Sequence, residues 1–539
     1  MRPEHPAAHR LADLAETFRL VTRGAPVGDA LLTGVVAASG DVERGDVFVA
    51  IPGLKVHGAR HAGQAVERGA AAVLTDGAGL ALLTAEGLDA RVPVLVGEDP
   101  RALAGPVAAW AYDAPATRLV TAGVTGTNGK TTTTYFLDAA LRCAHRLTAV
   151  LGTVELRIGE EAVESPRTTV EAPALQAILA RAVELGATAA STEVSSHALA
   201  LRRVGGMVFD VVGFTNLQRD HLDFHGDMDG YFAAKARLFQ PDQARRGVVV
   251  VDDEWGRRLA AQAPIPIETV ATRVGSPAAA EADWAVVTAD IGLDGVGSTF
   301  TLRGPDGTSH EAASPLPGLV NVSNAALAVV LARAAGVDLT AAIDAVAHAH
   351  EIPGRMERVV ERGEGLPLCL VDYAHTPDAL VLALEAVRPI TPGRLILVFG
   401  SDGDRDQGKR PIMGEIAARL ADVLVVTDEN PRSEEPASIR AAILAGVRAQ
   451  RPRLADVHEV TTSRADAIRI ALRLATERDT VIVTGKGHEP TQEIAGVFHR
   501  YNDRDVLRAV RAERTADGAP GHGGAGVGTS GRARVGRSA

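Results

Sequence analysis

One short segment limits the folds open to this chain: a glycine-rich loop between a strand-like run and a helix-like run. The loop is Gly126-Thr127-Asn128-Gly129-Lys130-Thr131-Thr132, preceded by residues 118–125 and followed by the helical pattern of residues 131–142. Glycines let backbone N–H groups turn toward a polyphosphate, and the helix N-terminus adds its positive end. Lys130 can neutralise phosphate charge, and Thr131 can hold Mg2+. The order predicts a phosphate-binding loop in a parallel sheet.

The spacing of this loop leaves one alternative open. The common P-loop pattern, G-x-x-x-x-G-K-[ST], requires glycine at position 124, where this chain has Val124. The segment is a shorter G-x-x-G-K-T variant, so an ordinary glycine-rich turn remains an alternative.

Bulk properties exclude several classes of protein. The chain has 539 residues, too many for one ordinary core, and its 46% hydrophobic and 23% charged residues are typical of a globular protein of about three domains. A net charge of −11 argues against general nucleic-acid binding. Cys143 and Cys369 are the two cysteines, so neither a disulfide framework nor a cysteine zinc site is expected. Without an apolar run of about 18 residues or a signal peptide at the start, the expected location is the cytoplasm, with no membrane span.

Alternating strand-like and helix-like runs predict an α/β protein of three domains with mostly parallel sheets. We place a small N-terminal α/β domain at residues 11–114, a central phosphate-loop domain at 115–351 and a third domain at 352–514. Residues 1–10 look loose. The tail, residues 515–539, is rich in Gly, Ala, Ser and Arg and is expected to be disordered.

Four strand-like runs of the third domain each end in a charged or glycine-rich loop. The loops are Ala374-His375-Thr376, Asp402-Gly403-Asp404-Arg405-Asp406, Asp428-Glu429-Asn430-Pro431-Arg432 and Gly485-Lys486-Gly487-His488-Glu489. The carboxyl ends of parallel strands share one edge of a sheet, where ligands bind. A ligand site is therefore predicted there, with four unrelated solvated turns as the alternative.

Two segments of the central domain carry candidate metal or phosphate ligands. Glu193 follows a strand-like run, where a carboxylate could share Mg2+ with Thr131, although a surface carboxylate is the ordinary alternative. Residues 216–226 contain two His and two Asp, including His221. This composition is equally consistent with a metal or phosphate site and with a hydrogen-bonded turn.

Lys235 shares a helical face with Tyr231 and Phe239, which recur every four residues. Such a lysine usually extends its ammonium to water. If it is desolvated, its pKa falls, and the neutral amine can take up CO2 as an anionic carbamate that binds metal ions. The sequence leaves both readings open.

Together these segments resemble the Mur ligases, the ATP-dependent amide-forming enzymes of peptidoglycan precursor synthesis. The GTNGKTT loop, EVSSHAL at 193–199, NLQRDHLDFHG at 216–226, YFAAKARLF at 231–239, NVSNAALA at 321–328, PGRMERV at 353–359, DYAHTPDAL at 372–380, GDRDQGKRP at 403–411 and GKGHE at 485–489 occur in family order. They cover about positions 35 to 490 and look most like the branch that adds 2,6-diaminopimelate to UDP-N-acetylmuramoyl-L-alanyl-D-glutamate.

The resemblance implies an N-terminal domain for the UDP end of the substrate, a central P-loop ATPase domain and a Rossmann-like C-terminal domain. It also implies roles by position. ATP would be bound by the Gly126 to Thr132 loop, Asn321 and Arg355. The UDP-muramoyl-dipeptide would be held by Ser39, Thr168, Thr169, Ser195 and Arg203. Diaminopimelate would be received by Arg405, Glu429, Asn430, Pro431, Arg432, Gly485 and Glu489.

The implied chemistry requires ATP, Mg2+ and a CO2-derived carbamate on Lys235. Thr131, Glu193, His221 and carbamylated Lys235 would organise the metal, and Lys130 would stabilise the phosphoryl group that passes to the substrate carboxylate. The implied partners are UDP-muramoyl-dipeptide, diaminopimelate and ATP, with no nucleic acid, and the protein is expected to be a monomer.

Five positions depart from the family pattern: Gly40, Val170, Leu201, Asp402 and Glu429. They put substrate affinity in question and leave room for a paralogue of a specialised pathway. A lysine-adding ligase, a D-Ala-D-Ala-adding ligase and a folylpolyglutamate synthetase are the enzyme alternatives. Arg432 disfavours the first, because its guanidinium suits a distal carboxylate. The alternative from another class of protein is a P-loop switch that binds nucleotide without ligase activity. Such a protein would not need the four polar loops of the third domain.

Overall fold

The computed structural model describes residues 1–53, 56–292, 297–451 and 453–517. It confirms the α/β class, because three sheets with mostly parallel strands follow one another along the chain, with helices between the strands. The domain bounds 11–114, 115–351 and 352–514 remain our proposal, and each large sheet lies inside one of these ranges.

The N-terminal sheet has five strands within the described residues. In spatial order they are Val21–Gly24, Pro93–Val96, Ala72–Thr75, Asp46–Val49 and Gly34–Val36. The first pair is antiparallel and the other pairs are parallel. The helices of this region are Leu11–Thr17, Ala62–Glu67, Gly77–Ala85 and Pro100–Ala111. The last two begin at aspartate caps, since Asp76 and Asp99 each accept a backbone N–H three residues on.

The first ten residues correct an expectation: they are not loose. His9–Arg10 pairs with Leu31–Leu32, and the Arg2 guanidinium lies 2.6 Å from the buried Asp46 carboxylate. Two backbone N–H groups further along, at Glu4 and His5, donate to the Glu184 carboxylate of the central domain. The sequence pattern did not predict these contacts, because the segment is short and its partners lie far along the chain.

The central sheet has eleven strands in the described part of the chain. In spatial order they are Glu161–Glu164, Glu155–Ile158, Thr148–Leu151, Ala189–Glu193, Val120–Thr125, Val211–Phe214, Gly247–Val250, Ile267–Ala271, Trp284–Ile291, Ser298–Arg303 and Ser309–Ser314. The middle of the sheet is parallel, and both ends are antiparallel. The phosphate loop therefore leaves a strand that is buried between two parallel neighbours.

Helices cover both faces of this sheet. They are Lys130–Leu141, Ala172–Glu184, Ser196–Ala200, Leu222–His225, Met228–Ala236, Glu254–Gln262, Ala278–Glu281, Leu319–Ala334 and Leu339–Ala347. Leu319–Ala334 is apolar on nearly every side and packs against Lys130–Leu141 in the main core. This packing fixes the helix that carries the phosphate loop.

The C-terminal sheet has six strands in the described residues, parallel except for the first pair. In spatial order they are Glu357–Val360, Leu368–Asp372, Thr480–Thr484, Leu395–Phe399, Val423–Val426 and Val457–Glu459. The helices are Pro377–Val387, Lys409–Leu420, Pro436–Gln450, Arg464–Leu474 and Asp503–Asp517, and a hairpin joins Thr491–Ile494 to Val497–Arg500. The four strands predicted from the sequence are adjacent in this sheet, which confirms that their polar loops share one edge.

The predicted disordered tail overlaps the last helix at residues 515–517, and residues 518–539 lie outside the described residues. None of the helices in the described ranges is long and apolar enough to cross a membrane.

Candidate active site

The phosphate loop has the backbone that its sequence requires. Gly126 and Gly129 have φ values of 150° and 86°, a region that side chains rarely occupy. A Cβ atom at Gly129 would collide with the Asn324 amide, and one at Gly126 would collide with the Thr215 hydroxyl. Helix Lys130–Leu141 starts directly after Gly129, within the loop, so its free N–H groups face the glycines.

Two lysines meet at the carbonyl of Gly126. Lys130 Nζ donates to this oxygen at 2.9 Å and to Thr127 O at 2.8 Å, and Lys235 Nζ donates to Gly126 O at 2.7 Å. Burial lowers the pKa of the Lys130 amine, against the opposing charge of Glu193. Burial, and then the charge of Lys130, lowers the pKa of the Lys235 amine far below its usual value. Lys235 therefore does not extend to water, and its amine is held toward the neutral form.

Glu193 is fully buried and lies at the centre of a hydroxyl network. Thr131 Oγ1 donates to Glu193 Oε2 at 3.0 Å, and Thr153 donates to the same carboxylate from both Oγ1 at 2.9 Å and its backbone N–H at 2.8 Å. Arg355 Nη2 in turn donates to Thr131 Oγ1 at 3.1 Å. The ordinary alternative, a surface carboxylate, is thus excluded for Glu193.

The donors around Thr131 fit Mg2+. A threonine hydroxyl and a carboxylate are oxygen ligands of the kind that Mg2+ prefers, and Mg2+ usually takes few protein ligands beside phosphate oxygens and water. Among the described residues no group of three or more His, Cys, Asp and Glu side chains forms a metal site. Phosphate oxygens and water would complete the coordination.

His221 lies beside this network in a group of aromatic rings. Its ring centroid is 4.7 Å from that of His197 and 6.2 Å from that of Tyr231, and its Nε2 is 3.4 Å from Asp220 Oδ2. Burial lowers the pKa of the His221 imidazole. A neutral imidazole is the form that can accept a metal or a proton.

A cavity of about 280 Å³ connects the central and C-terminal domains. Its walls combine the phosphate loop with residues 372–376 of the first polar loop of the C-terminal domain. The predicted ATP and metal residues that line it are Thr127, Asn128, Gly129, Lys130, Thr131, Thr132, Glu193, His221, Asn321 and Arg355. The structure thus brings these residues together, whereas Lys235 lies behind the loop.

The residues predicted for the UDP substrate fall into two groups. Thr168, Thr169 and Ser195 lie next to Glu193: Thr168 Oγ1 lies 3.1 Å from Thr153 Oγ1, Thr169 Oγ1 donates to Glu193 O at 2.8 Å, and Ser195 N donates to Thr169 Oγ1 at 3.1 Å. Arg203 pairs with Glu171 at 3.0 Å. Ser39 lies apart from these residues, in the N-terminal domain, and its hydroxyl donates to Gln64 Oε1 at 2.6 Å.

A cavity of about 810 Å³ lies between the N-terminal and central domains. Val35 to Ala38 form one wall, and Pro166, Arg167 and Val170 form another. Glu171, the partner of Arg203, lines it as well. This cavity is large enough for a nucleotide. The order of the domains along the chain did not establish that such a cavity exists.

The residues predicted for the amino acid cluster at the carboxyl edge of the C-terminal sheet, except Arg405, whose side chain is exposed on its loop. Asn430 Nδ2 donates to Glu489 Oε2 at 3.1 Å, and the buried Lys486 amine bonds both residues. A Cβ atom at Gly485 would collide with the Glu429 carboxylate, and Pro431 is buried in the same loop.

Arg432 lies between two carboxylates. Its Nη2 is 3.5 Å from Asp402 Oδ2, its Nε is 3.8 Å from Glu493 Oε2, and its backbone has a φ of 56°. Glu429 is nearly fully buried, and burial together with the charge of Asp402 raises its pKa to about 8. The site thus combines one guanidinium with several carboxyl groups, a set that can bind a zwitterion.

Sequence reasoning missed three contributors. Thr153 holds Glu193 from an unremarked turn between two strands, and no local pattern indicated it. Lys486 lies inside GKGHE, where its charge indicates a partner among the acidic loops. Arg2 lies in the segment that was set aside as loose, yet it lines the 810 Å³ cavity.

The three sheets and the phosphate loop define a three-domain P-loop protein. The chain matches three family descriptions in succession: "Mur ligase family, catalytic domain" over residues 32–109, "Mur ligase middle domain" over 124–332 and "Mur ligase, glutamate ligase domain" over 354–487. These matches cover more than half of the chain.

Named relatives agree with the family. A "UDP-N-acetylmuramyl-tripeptide synthetase" of Leifsonia xyli subsp. xyli is 48% identical over 521 residues, covering 95% of this chain and 98% of the relative. A "UDP-N-acetylmuramoyl-L-alanyl-D-glutamate--2,6-diaminopimelate ligase" of Streptomyces coelicolor is 47% identical over 509 residues, covering 94% and 97%. A solved structure with the latter title has a TM-score of 0.64 and 31% identity, covering 94% of this chain and all of the solved one. The chain belongs to the Mur ligase family, and it is an ATP-dependent ligase.

Proposed function

We propose that this ligase adds 2,6-diaminopimelate to UDP-N-acetylmuramoyl-L-alanyl-D-glutamate. The observation that carries the proposal is the 280 Å³ cavity, because the phosphate loop and a loop of the amino-acid edge line the same space. A phosphoryl donor and an incoming amine can therefore meet there. The names of the relatives support the same substrate pair.

The reaction has two steps. The γ-phosphoryl group of ATP is transferred to the D-glutamate carboxylate, which forms an acyl phosphate and releases ADP. The neutral amine then attacks the acyl carbon, the C–O bond to phosphate breaks, and phosphate leaves as the amine loses a proton. Lys130 stabilises charge on the transferring group, and loss of such a contact costs about 3 kcal/mol of barrier.

Mg2+ would be held by Thr131, Glu193 and His221, and it would neutralise phosphate charge. Asn321 and Arg355 would bind ATP from the other walls of the cavity. Arg355 stacks its guanidinium 4.4 Å over the Tyr373 ring, which keeps it directed at Thr131.

Lys235 is proposed to act as a carbamate. Its neutral amine nitrogen would attack the carbon of CO2 and release one proton, which leaves an anion near the metal ligands. Two observations support this step: the amine is buried, and Lys130 lies close enough to disfavour a second cation.

Specificity for diaminopimelate would depend on Arg432. Diaminopimelate differs from lysine by a distal carboxylate, which a guanidinium can accept through two hydrogen bonds. With lysine bound, Arg432 would lack that ligand, and the loss would disfavour the wrong substrate. Glu429, Asn430, Pro431, Gly485 and Glu489 would form the rest of this site, with Arg405 reaching it from its exposed loop.

Ser39, Thr168, Thr169, Ser195 and Arg203 would hold the UDP-muramoyl-dipeptide. Thr168 lines the 280 Å³ cavity, and Glu171, the partner of Arg203, lines the 810 Å³ cavity. We further propose that the protein is a cytoplasmic monomer, since its nucleotide substrates are soluble.

The experiment is a reaction with all substrates and with each one omitted. We expect phosphate release only when ATP, UDP-muramoyl-dipeptide and a diamino acid are present, and a product with the mass of the tripeptide. Competing diaminopimelate and lysine in one tube then reports specificity by mass. Absence of a tripeptide with every diamino acid tested would overturn the ligase assignment, and a lysine product in excess would overturn the diaminopimelate assignment.

A further inference from the structure

The N-terminal segment, residues 1–5, contacts two different domains. On the N-terminal domain, Arg2 Nη2 donates to Asp46 Oδ2 at 2.6 Å and to Asp41 O at 3.1 Å, while Nη1 lies 3.2 Å from Glu43 Oε2. The Asp46 side chain is fully buried, so this ion pair has little competition from water.

On the central domain, the segment binds the end of helix Ala172–Glu184. The backbone N–H groups of Glu4 and His5 donate to the two oxygens of the Glu184 carboxylate at 2.8 Å and 2.7 Å. Glu4 Oε1 also lies 2.9 Å from Arg181 Nη2, and Met1 packs against the apolar core of the central domain. Residues 1–5 therefore form a clasp, the name used below, between the two domains.

The clasp is also part of a cavity wall. Met1 and Arg2 line the 810 Å³ cavity together with Val35, Val36, Arg101 and Arg167, which come from the two domains that the clasp joins. The distance between the opposing walls thus depends on a segment that touches both of them.

We propose that the clasp positions the two walls of this cavity for the nucleotide end of the substrate, with Arg2 and Glu184 as the positioning residues of its two attachments. A ligand that binds between two domains must fix their relative position, and a site in which that position is already fixed binds more tightly. This inference rests on the proposed function in one respect: the cavity takes the uridine diphosphate end of UDP-muramoyl-dipeptide.

The clasp lies away from the phosphate loop, so its release affects binding of one substrate rather than the chemistry. The clasp holds both walls only while both of its attachments are intact. Arg2→Ala and Glu184→Ala should therefore have the same effect, and the double variant should be no worse than either single variant. If the two contacts acted independently, the factor by which KM rises in the double variant would be the product of the two single-variant factors.

The test measures initial rates of the full chain with UDP-muramoyl-dipeptide varied at saturating ATP and diaminopimelate. We expect each variant to raise KM for the nucleotide substrate about fivefold or more, with kcat and the KM for ATP unchanged within twofold. Arg333→Ala is the matched control, because it removes an ion pair with Glu268 inside the central domain and should leave every constant unchanged. Calorimetric titration with UDP supplies a readout that needs no catalysis, and the variants should bind UDP correspondingly more weakly.

Unchanged KM and UDP affinity in both single variants would overturn the clasp, as would a lowered melting temperature with unchanged KM, which indicates a merely structural role. Multiplicative effects in the double variant would overturn the two-ended attachment. A wild-type protein that forms no tripeptide, while the variants still lose UDP affinity, would overturn the proposed function and support the clasp.

Discussion

Arg355 Nη2 donates a hydrogen bond of 3.1 Å to the hydroxyl of Thr131, which lies 224 positions earlier in the chain. This bond crosses from the start of the C-terminal domain to the phosphate loop. Because Thr131 donates in turn to Glu193, a change in the position of Arg355 is transmitted to the predicted metal ligands. The contact between these two domains is thus part of the candidate active site itself.

Replacing Arg355 tests this contact. Arg355→Lys keeps the charge but loses the planar group that both stacks on Tyr373 and reaches Thr131. We expect kcat to fall on the order of tenfold to a hundredfold, measured as phosphate release. Tyr373→Phe keeps the ring under the guanidinium and should lose less than the arginine variant. Equal losses in the two variants would contradict a role for the hydrogen bond.

Glu193→Gln tests the metal site. The amide keeps the shape of the side chain but removes the negative charge that attracts Mg2+, so the Mg2+ concentration for half-maximal rate should rise on the order of tenfold. Titration of the rate with Mg2+ at fixed ATP measures this value. Glu155→Gln is the control, since Glu155 pairs with Arg157 within strand Glu155–Ile158 and does not line the cavity. A normal Mg2+ requirement in Glu193→Gln would exclude the carboxylate as a ligand.

Lys235 is tested by removing CO2. In CO2-depleted buffer the wild-type rate should fall, and added bicarbonate should restore it, because the carbamate forms reversibly from a neutral amine. Lys235→Ala should lose activity on the order of a hundredfold and show no response to bicarbonate. Full activity in the alanine variant would leave the carbamate without a role.

Arg432→Lys tests amino-acid selection. Loss of the two-bond contact with the distal carboxylate should lower kcat/KM for diaminopimelate about tenfold to a hundredfold and leave the much lower value for lysine nearly unchanged. Competition assays with both amino acids measure the ratio directly. Arg388→Lys, which alters an ion pair with Asp422 at the opposite edge of the sheet, is the control. An equal loss with both amino acids would show that Arg432 does not read the distal carboxylate.

Glu429 should make stability depend on pH. Its pKa is raised from 4.5 to about 8, by burial first and then by the charge of Asp402. Between these values the folded protein retains a proton that the unfolded chain has released, so the free energy of unfolding falls as pH rises through the window, by at most about 1.4 kcal/mol per pH unit.

Urea unfolding of wild type and Glu429→Gln at pH 5.5 and pH 8 measures this effect. The variant should lose less stability than the wild type over the interval, because its amide does not titrate. A parallel loss in both proteins would place the pH dependence elsewhere.

Local patterns predicted much of the fold. The strand before the phosphate loop, predicted within residues 118–125, is found at Val120–Thr125. The shared edge of the four polar loops also followed from their order. The contacts of Thr153 and Lys486 were missed, since a hydroxyl in a turn and a lysine within a motif take their partners from distant segments.

The sequence by itself determined the phosphate loop, since glycine spacing, the preceding strand and the following helix are all local. It also determined the α/β class and the order of the three sheets. Only the tertiary structure decided that Arg355 reaches Thr131, that Lys235 is buried beside Lys130, and that residues 1–5 join two domains. The physical reason is that burial and pairing between segments far apart in the chain depend on how the sheets pack together, which no local window of residues contains.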